Sequence, residues 1–151
     1  MITFETSTRI NRPIEEVFAY VSDPRNFPRW NSAAQAVRKT SAGDTGVAST
    51  YLMERALPTG RAVNELEVVT REWSREFAIR TTAGPTPFRY RYGFSAENNE
   101  TVVHLDAEVD LIGPGALLPQ LARRAVKKGV DDNFATLKQI LETARRPSAS
   151  A

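Results

Sequence analysis

Apolar and polar positions alternate along most of the first two-thirds of the chain, then change to a helical period that runs to its end. Ile2 to Ile10 sets Phe4, Thr6, Thr8 and Ile10 on one face and Glu5, Ser7 and Arg9 on the other, the mark of a half-buried strand. A helix follows. Asn11 offers a side-chain cap, Pro13 suits the first turn, Glu15 and Glu16 favour the positive end of the helix dipole, and Ile14, Val17, Phe18 and Val21 form the buried side. Pro24 ends it, and a second short helix or turn through Arg25, Asn26 and Phe27 closes at Pro28 and Trp30.

From Ala33 the pattern predicts strands over Ala34 to Thr40, Val47 to Ala56, Arg61 to Glu72 and Glu76 to Thr82. Turns at Gly43-Asp44-Thr45-Gly46, Pro58-Thr59-Gly60, Trp73-Ser74 and Gly84-Pro85-Thr86-Pro87 separate them. The last hairpin carries its own register. With Asn98-Asn99 as a two-residue turn, Tyr92 faces Leu105, Tyr90 faces Ala107 and Phe88 faces Val109 on the apolar side, while Arg91 opposes Asp106 and Arg89 opposes Glu108 on the polar side.

The closing segment, Gly115 to Ala144, places Leu117, Leu118, Leu121, Ala122, Ala125, Val126, Gly129, Val130, Phe134, Leu137, Ile140 and Leu141 on one stripe of a helix of about seven turns. So long a stripe needs a long partner, and a curved antiparallel sheet laid around it is the economical one. The sheet and helix then enclose a pocket.

Composition narrows the chemistry. The 151 residues are read as one domain over 1–144 with a flexible tail over 145–151, and no repeat or linker divides them. The chain has no cysteine, which excludes disulfides, thiolate metal sites and cysteine nucleophiles. No apolar run approaches the roughly 20 residues of a membrane span, and no leader pattern opens the chain, so a soluble cytoplasmic protein is expected. A net charge of +2 makes a weak electrostatic case for nucleic acid, and the cluster Arg123, Arg124, Lys127 and Lys128 reads as a solvated helix face. Monomer and edge-strand homodimer both remain open.

The residues Ile14-Glu15-Glu16-Val17-Phe18 after Pro13, Asp23-Pro24 with Phe27-Pro28-Arg29-Trp30, Gly46, Val69-Thr70-Arg71-Glu72-Trp73, and Gly84-Pro85 before a Phe/Tyr-rich strand occur in a telling order. Over residues 3–142 the chain resembles the START-like, Bet v 1-like helix-grip superfamily (SRPBCC), in particular its small bacterial members of the polyketide cyclase/dehydrase and lipid transport type. The resemblance implies an α+β helix-grip fold: a curved antiparallel sheet of about seven strands around a long C-terminal helix, with two short helices after the first strand. It also implies an apolar cavity for a hydrophobic small molecule, a lipid, isoprenoid or aromatic polyketide, with no cofactor. It does not choose between a carrier and an enzyme.

The residues themselves offer little covalent chemistry. The single histidine, His104, falls on the face with Asp106, Glu108 and Asp110, away from the apolar side, and cross-strand Arg89 and Arg91 offset those carboxylates, so no metal site is expected. Arg55 is in step with Ser49, Tyr51 and Met53. If that face is inward, the buried guanidinium needs a carboxylate or a ligand anion; the opposite register buries Leu52 instead. Asn64, Leu66 and Val68 are taken as inward, whereas an inward Glu65 or Glu67 would partner Arg55 and favour acid/base chemistry. The expected cavity lining is Trp30, Tyr51, Met53, Arg55, Leu66, Phe77, Ile79, Tyr90, Tyr92, Leu121, Ala125 and Phe134. Three functions are carried forward. The first is a binding module. The second is a cyclase or dehydratase using Arg55 with Tyr90 or Tyr92. The third is an interaction module with a collapsed cavity.

Overall fold

A computed structural model describes residues 1–57, 60–111 and 117–144. Strand β1 (Ile2–Ile10) leads into helix α1 (Ile14–Val21), a 3-10 turn at Pro24–Asn26 and the short helix α2 (Phe27–Trp30). Strands β2 (Ala34–Lys39), β3 (Thr50–Leu57), β4 (Gly60–Glu72), β5 (Glu76–Ala83), β6 (Phe88–Glu97) and β7 (Glu100–Val109) follow, and helix α3 (Pro119–Thr143) closes the described chain. All neighbouring strands are antiparallel in one seven-stranded sheet of order β1-β7-β6-β5-β4-β3-β2. This is the helix-grip arrangement.

The β6–β7 register is the one the turn dictates: Tyr92 pairs with Leu105, Tyr90 with Ala107, Phe88 with Val109, Arg91 with Asp106 and Arg89 with Glu108. Asn98 and Asn99 both take positive φ, 51° and 69°, as a tight turn matched to strand twist requires. Ion pairing departs from the register, since Arg91 reaches Glu76 at 3.6 Å instead of Asp106. The sheet's inner face buries Phe4, Tyr51, Met53, Leu66, Val68, Phe77, Ile79, Tyr92, Phe94, Val103, Leu105 and Ala107.

Against that face α3 lays Val130, Phe134, Leu137 and Leu141, a stripe at helical spacing. The stripe is narrower than expected, since at about 100° per residue Leu121 and Ala125 fall about 180° and 140° around the helix from Val130. The helix begins at Pro119, and Leu117, Leu118 and Leu121 are largely exposed, with Leu121 at 61 %. Ala125 is exposed as well. The polar side of α3 is laced by Lys127–Asp131, Lys128–Asp132 and Lys138–Glu142 pairs, each at 2.8 Å, so two of the clustered basic residues are internally matched.

Two further expectations change. Asn11 does not cap α1: Pro13 holds the cap position with no side-chain bond, and the Asn11 amide donates to Glu142 at 2.8 Å. Strand β3 starts at Thr50, because Val47 is exposed and Ala48 turns through a positive φ of 72°. Gly115 and the tail from Arg145 lie outside the described residues.

Candidate functional site

Alternation on β3 settles the register that the sequence leaves open. Tyr51 and Met53 are buried and Arg55 shares their side, half-buried at the end of the strand. On β4 the inward set is Asn64, Leu66 and Val68, all essentially without solvent contact. Glu65 is exposed, and Glu67 turns outward to pair with Arg80 at 3.0 Å. The inward set is the one expected, and Glu65 and Glu67, which could partner Arg55 only from the inner face, do not do so.

Neutral oxygens take their place. Arg55 Nη1 donates to Asn64 Oδ1 at 3.1 Å, to the Thr86 carbonyl at 3.2 Å and to the Pro85 carbonyl at 3.4 Å. Asn64 Nδ2 in turn donates to the Ala83 and Pro85 carbonyls at 3.1 and 2.9 Å, so one buried amide ties β4 to the turn before β6. The guanidinium lies 5.3 Å from the centre of the Phe88 ring, which holds it by a cation–π contact. Burial lowers the Arg55 pKa from its ordinary value, and Arg55 Nε is buried with no hydrogen-bond partner.

These groups edge a pocket of about 260 Å³ between the sheet, the segment after α2 and the middle of α3. Met53, Leu57, Phe88, Tyr90, Val126 and Val130 supply apolar wall; Arg55, Asn31, Ser32 and Asn133 supply polar groups. Gly129 leaves the helix surface bare at its mouth, with open space where a Cβ would stand. Asn133 fixes the rim, accepting from the Ser32 amide at 3.1 Å and donating to Asn31 Oδ1 at 3.2 Å. On the scale where a cavity of about 150 Å³ admits benzene, this one takes roughly ten heavy atoms.

Of the residues expected from sequence, Met53, Arg55 and Tyr90 line this pocket. Trp30, Tyr51, Leu66, Phe77, Ile79, Tyr92 and Phe134 are buried in the core behind it. There they pack ring against ring: Trp30 stacks on Phe134 with centroids 6.4 Å apart, and Phe77 stacks on Tyr92 at 6.3 Å. The Tyr51 hydroxyl is turned away to a hydrogen bond with Thr45. Leu121 and Ala125 project from the exposed side of α3 and are absent from the lining. Asn31, Ser32, Leu57, Phe88 and Asn133 were not foreseen. The signal for Asn133 was present, since it falls four residues after Gly129, on the helix line that Val126 and Gly129 share.

Burial pushes the Tyr90 pKa up to about 12 and that of Tyr92 well above its ordinary value, with Arg55 pulling Tyr90 the other way. Both phenols stay protonated at neutral pH and so are available as donors, not bases. Among the described residues no histidine, aspartate or glutamate lines the pocket. His104 lies on the outer face, where its Nε2 comes within 3.3 Å of Asp106 and 3.5 Å of Glu5. A larger groove of about 580 Å³ on that side is edged by Glu5, Arg89, Arg91, Asp106, Glu108 and Arg123, a charged and open surface unlike a small-molecule site.

The sequence profile of the polyketide cyclase/dehydrase and lipid transport family matches residues 1–142. The chain belongs to that family. A comparison with curated proteins finds no match. Solved structures with a similar fold include a START superfamily protein from Mycobacterium smegmatis, 16 % identical over 93 % of this chain and 97 % of its own, with a TM-score of 0.73. A Thermus thermophilus protein is 15 % identical over 96 % of this chain and all of its own length (100 %), at a TM-score of 0.78. The di-domain ARO/CYC StfQ of the steffimycin biosynthetic pathway is 13 % identical over 93 % of this chain and 50 % of its own, at 0.74. At such identities the likeness is one of fold. This family member therefore has the helix-grip fold, and no helix among its described residues is long and apolar enough to cross a membrane.

Proposed function

We infer that the protein binds a compact hydrophobic small molecule in the pocket between β3, β6 and α3. The observation that carries this reading is the pocket itself: apolar walls from three elements, a short polar rim and a bare helix surface at Gly129. Its volume favours an aromatic or branched compound over a long lipid chain, because the space deeper in the core is filled by Trp30, Phe77, Tyr92 and Phe134. The filled core behind the pocket is also what an interaction module with a collapsed interior would have, and ligand uptake separates the two readings.

Cyclase or dehydratase chemistry is the second reading, and Arg55 beside Tyr90 favours it. A cation and a protonated phenol sharing one pocket suit the stabilisation of an enolate oxygen. That step would still need a base from the substrate or from water. On this reading Arg55→Ala abolishes turnover with the fold intact, and unchanged turnover rejects the assignment.

Native mass spectrometry of the protein purified from its own cells tests the binding reading, with identification of any compound released on denaturation. Gly129→Leu fills the pocket from the helix side and should come out empty where the wild type carries a ligand. The same compound at the same stoichiometry in both places the ligand elsewhere. Empty protein in both, with no uptake of naphthalene on titration, rejects the reading.

A further inference from the structure

Arg55 brings a positive charge to the pocket wall that nothing among the described residues balances. Its three acceptors, Asn64 Oδ1 and the carbonyls of Pro85 and Thr86, are all neutral and all use the same amino group, Nη1. Its Nε is shut from solvent and finds no acceptor among the described residues. Every ion pair in the described structure belongs to other residues. The nearest candidates on its own hairpin, Glu54, Glu65 and Glu67, stand on the opposite face of the sheet.

A guanidinium remains charged at any physiological pH, and neutral carbonyls replace only part of the hydration it gives up. The second terminal nitrogen of Arg55, Nη2, donates to no described residue and, unlike Nε, is not shut from solvent, so it is the nitrogen that an oxyanion in the pocket meets. The other polar groups on the pocket, Asn31, Ser32, Tyr90 and Asn133, are neutral and add no competing negative charge. The Phe88 ring packs against the guanidinium and restrains it. Met53 beside Arg55 on β3, and Val126 and Val130 on α3, make the neighbouring lining apolar.

We propose that the ligand is a small amphipathic carboxylic acid, its carboxylate on Arg55 and its aromatic or branched body against Met53, Tyr90, Val126 and Val130. This rests on the binding reading above and narrows it from any hydrophobic compound to an organic acid. A purely structural Arg55, pinning the turn before β6 to β3, would leave the pocket indifferent to ligand charge.

Cinnamate and cinnamamide have the same shape and differ in charge. Each is titrated into the isotope-labelled protein while the amide resonances of Asn31, Met53 and Val130 are followed by NMR. The wild type should bind the acid about tenfold or more tighter than the amide, as a charge-assisted hydrogen bond implies. Arg55→Gln should bind both with the wild type's affinity for the amide. Equal wild-type affinities, or a preference that survives Arg55→Gln, overturns the proposal while leaving the pocket a binding site. Failure of both probes to bind removes the binding reading, and this inference with it. The acid–amide comparison on the wild type needs no variant, so a poorly folded Arg55→Gln does not shelter the proposal.

Discussion

Arg12 Nε donates to the Leu141 carbonyl at 2.7 Å, and its Nη2 reaches the carbonyl of Ala144, so one buried guanidinium closes the C-terminal end of α3. The last carbonyls of a helix have no partner within it and carry the negative end of its dipole, which a cation there satisfies twice over. The Arg12 backbone carbonyl meanwhile accepts from the buried Thr101 hydroxyl at 2.7 Å, joining the β1–α1 corner to β7.

Arg12→Leu keeps the bulk and removes the charge. Hydrogen bonds to charged groups are worth about 1.5–3 kcal/mol each, so the variant should lose about 3 kcal/mol. For a domain of this size that lowers Tm by about 6–12 °C. Calorimetry checks it, and a loss within about 1 kcal/mol would mean that α3 does not depend on this clamp.

Gly84 is the tightest backbone approach near the pocket. At φ +102° a Cβ there would stand 2.3 Å from the Val63 carbonyl oxygen and 2.6 Å from Asn64 Nδ2. Gly84→Ala should cost about 3 kcal/mol or more by chemical denaturation, combining a left-handed backbone penalty with overpacking. Gly43→Ala, at φ +82° with nothing within 4 Å, isolates the backbone part and should cost about 1–2 kcal/mol. Because Asn64 anchors Arg55, Gly84→Ala should also weaken ligand binding.

Much of this fold is written locally in the chain. Strand alternation, the Asn98-Asn99 turn and the β6–β7 register follow from neighbouring residues, and the structure agrees with each. The site is less legible because an apolar run of i+3 and i+4 steps drifts around a long helix. At about 100° per residue Leu137 stays within about 20° of Val130 while Leu121 lies about 180° from it, and accordingly Leu137 has no exposure and Leu121 has 61 %. Nothing local marks Arg12 as a helix clamp either, since its partners lie about 130 residues away in the chain. Leu137→Ala should cost about 2–5 kcal/mol and Leu121→Ala within about 0.5 kcal/mol, a contrast that chemical denaturation reads directly.

Glu142 reports on the other end of the same contact. The Lys138 ammonium, and then the Asn11 amide, hold its carboxyl below the ordinary value of 4.5. A depressed carboxyl pKa means that the unfolded chain binds the proton more readily, so stability rises with pH through that range. The stability advantage of wild type over Glu142→Gln should be full above about pH 5 and vanish as the pH falls through the folded-state value. Urea melts between pH 7 and 3 measure it. A difference that stays constant to pH 3 would show that Glu142 contributes by packing and not by charge.

Phe134 is the aromatic core residue that follows the pocket lining along α3. It is 2 % exposed, stacks on Trp30 with planes 26° apart and leans on Tyr92 at 6.3 Å, one turn beyond Val130 of the pocket lining. Phe134→Ala would leave a cavity costing about 3–5 kcal/mol, a large share of a small domain's stability. Phe134→Leu is the milder cut and should fold, opening a path from the pocket toward Trp30, whose indole Nε1 is buried without a partner. The only other tryptophan, Trp73, is 57 % exposed, so Trp73→Phe leaves Trp30 as the sole indole emitter. In that background, naphthalene should leave Trp30 emission nearly unchanged in the wild-type core and perturb it strongly once Phe134 is Leu. An equal response in both would mean that the ring does not bound the pocket, and that ligands already reach the aromatic core.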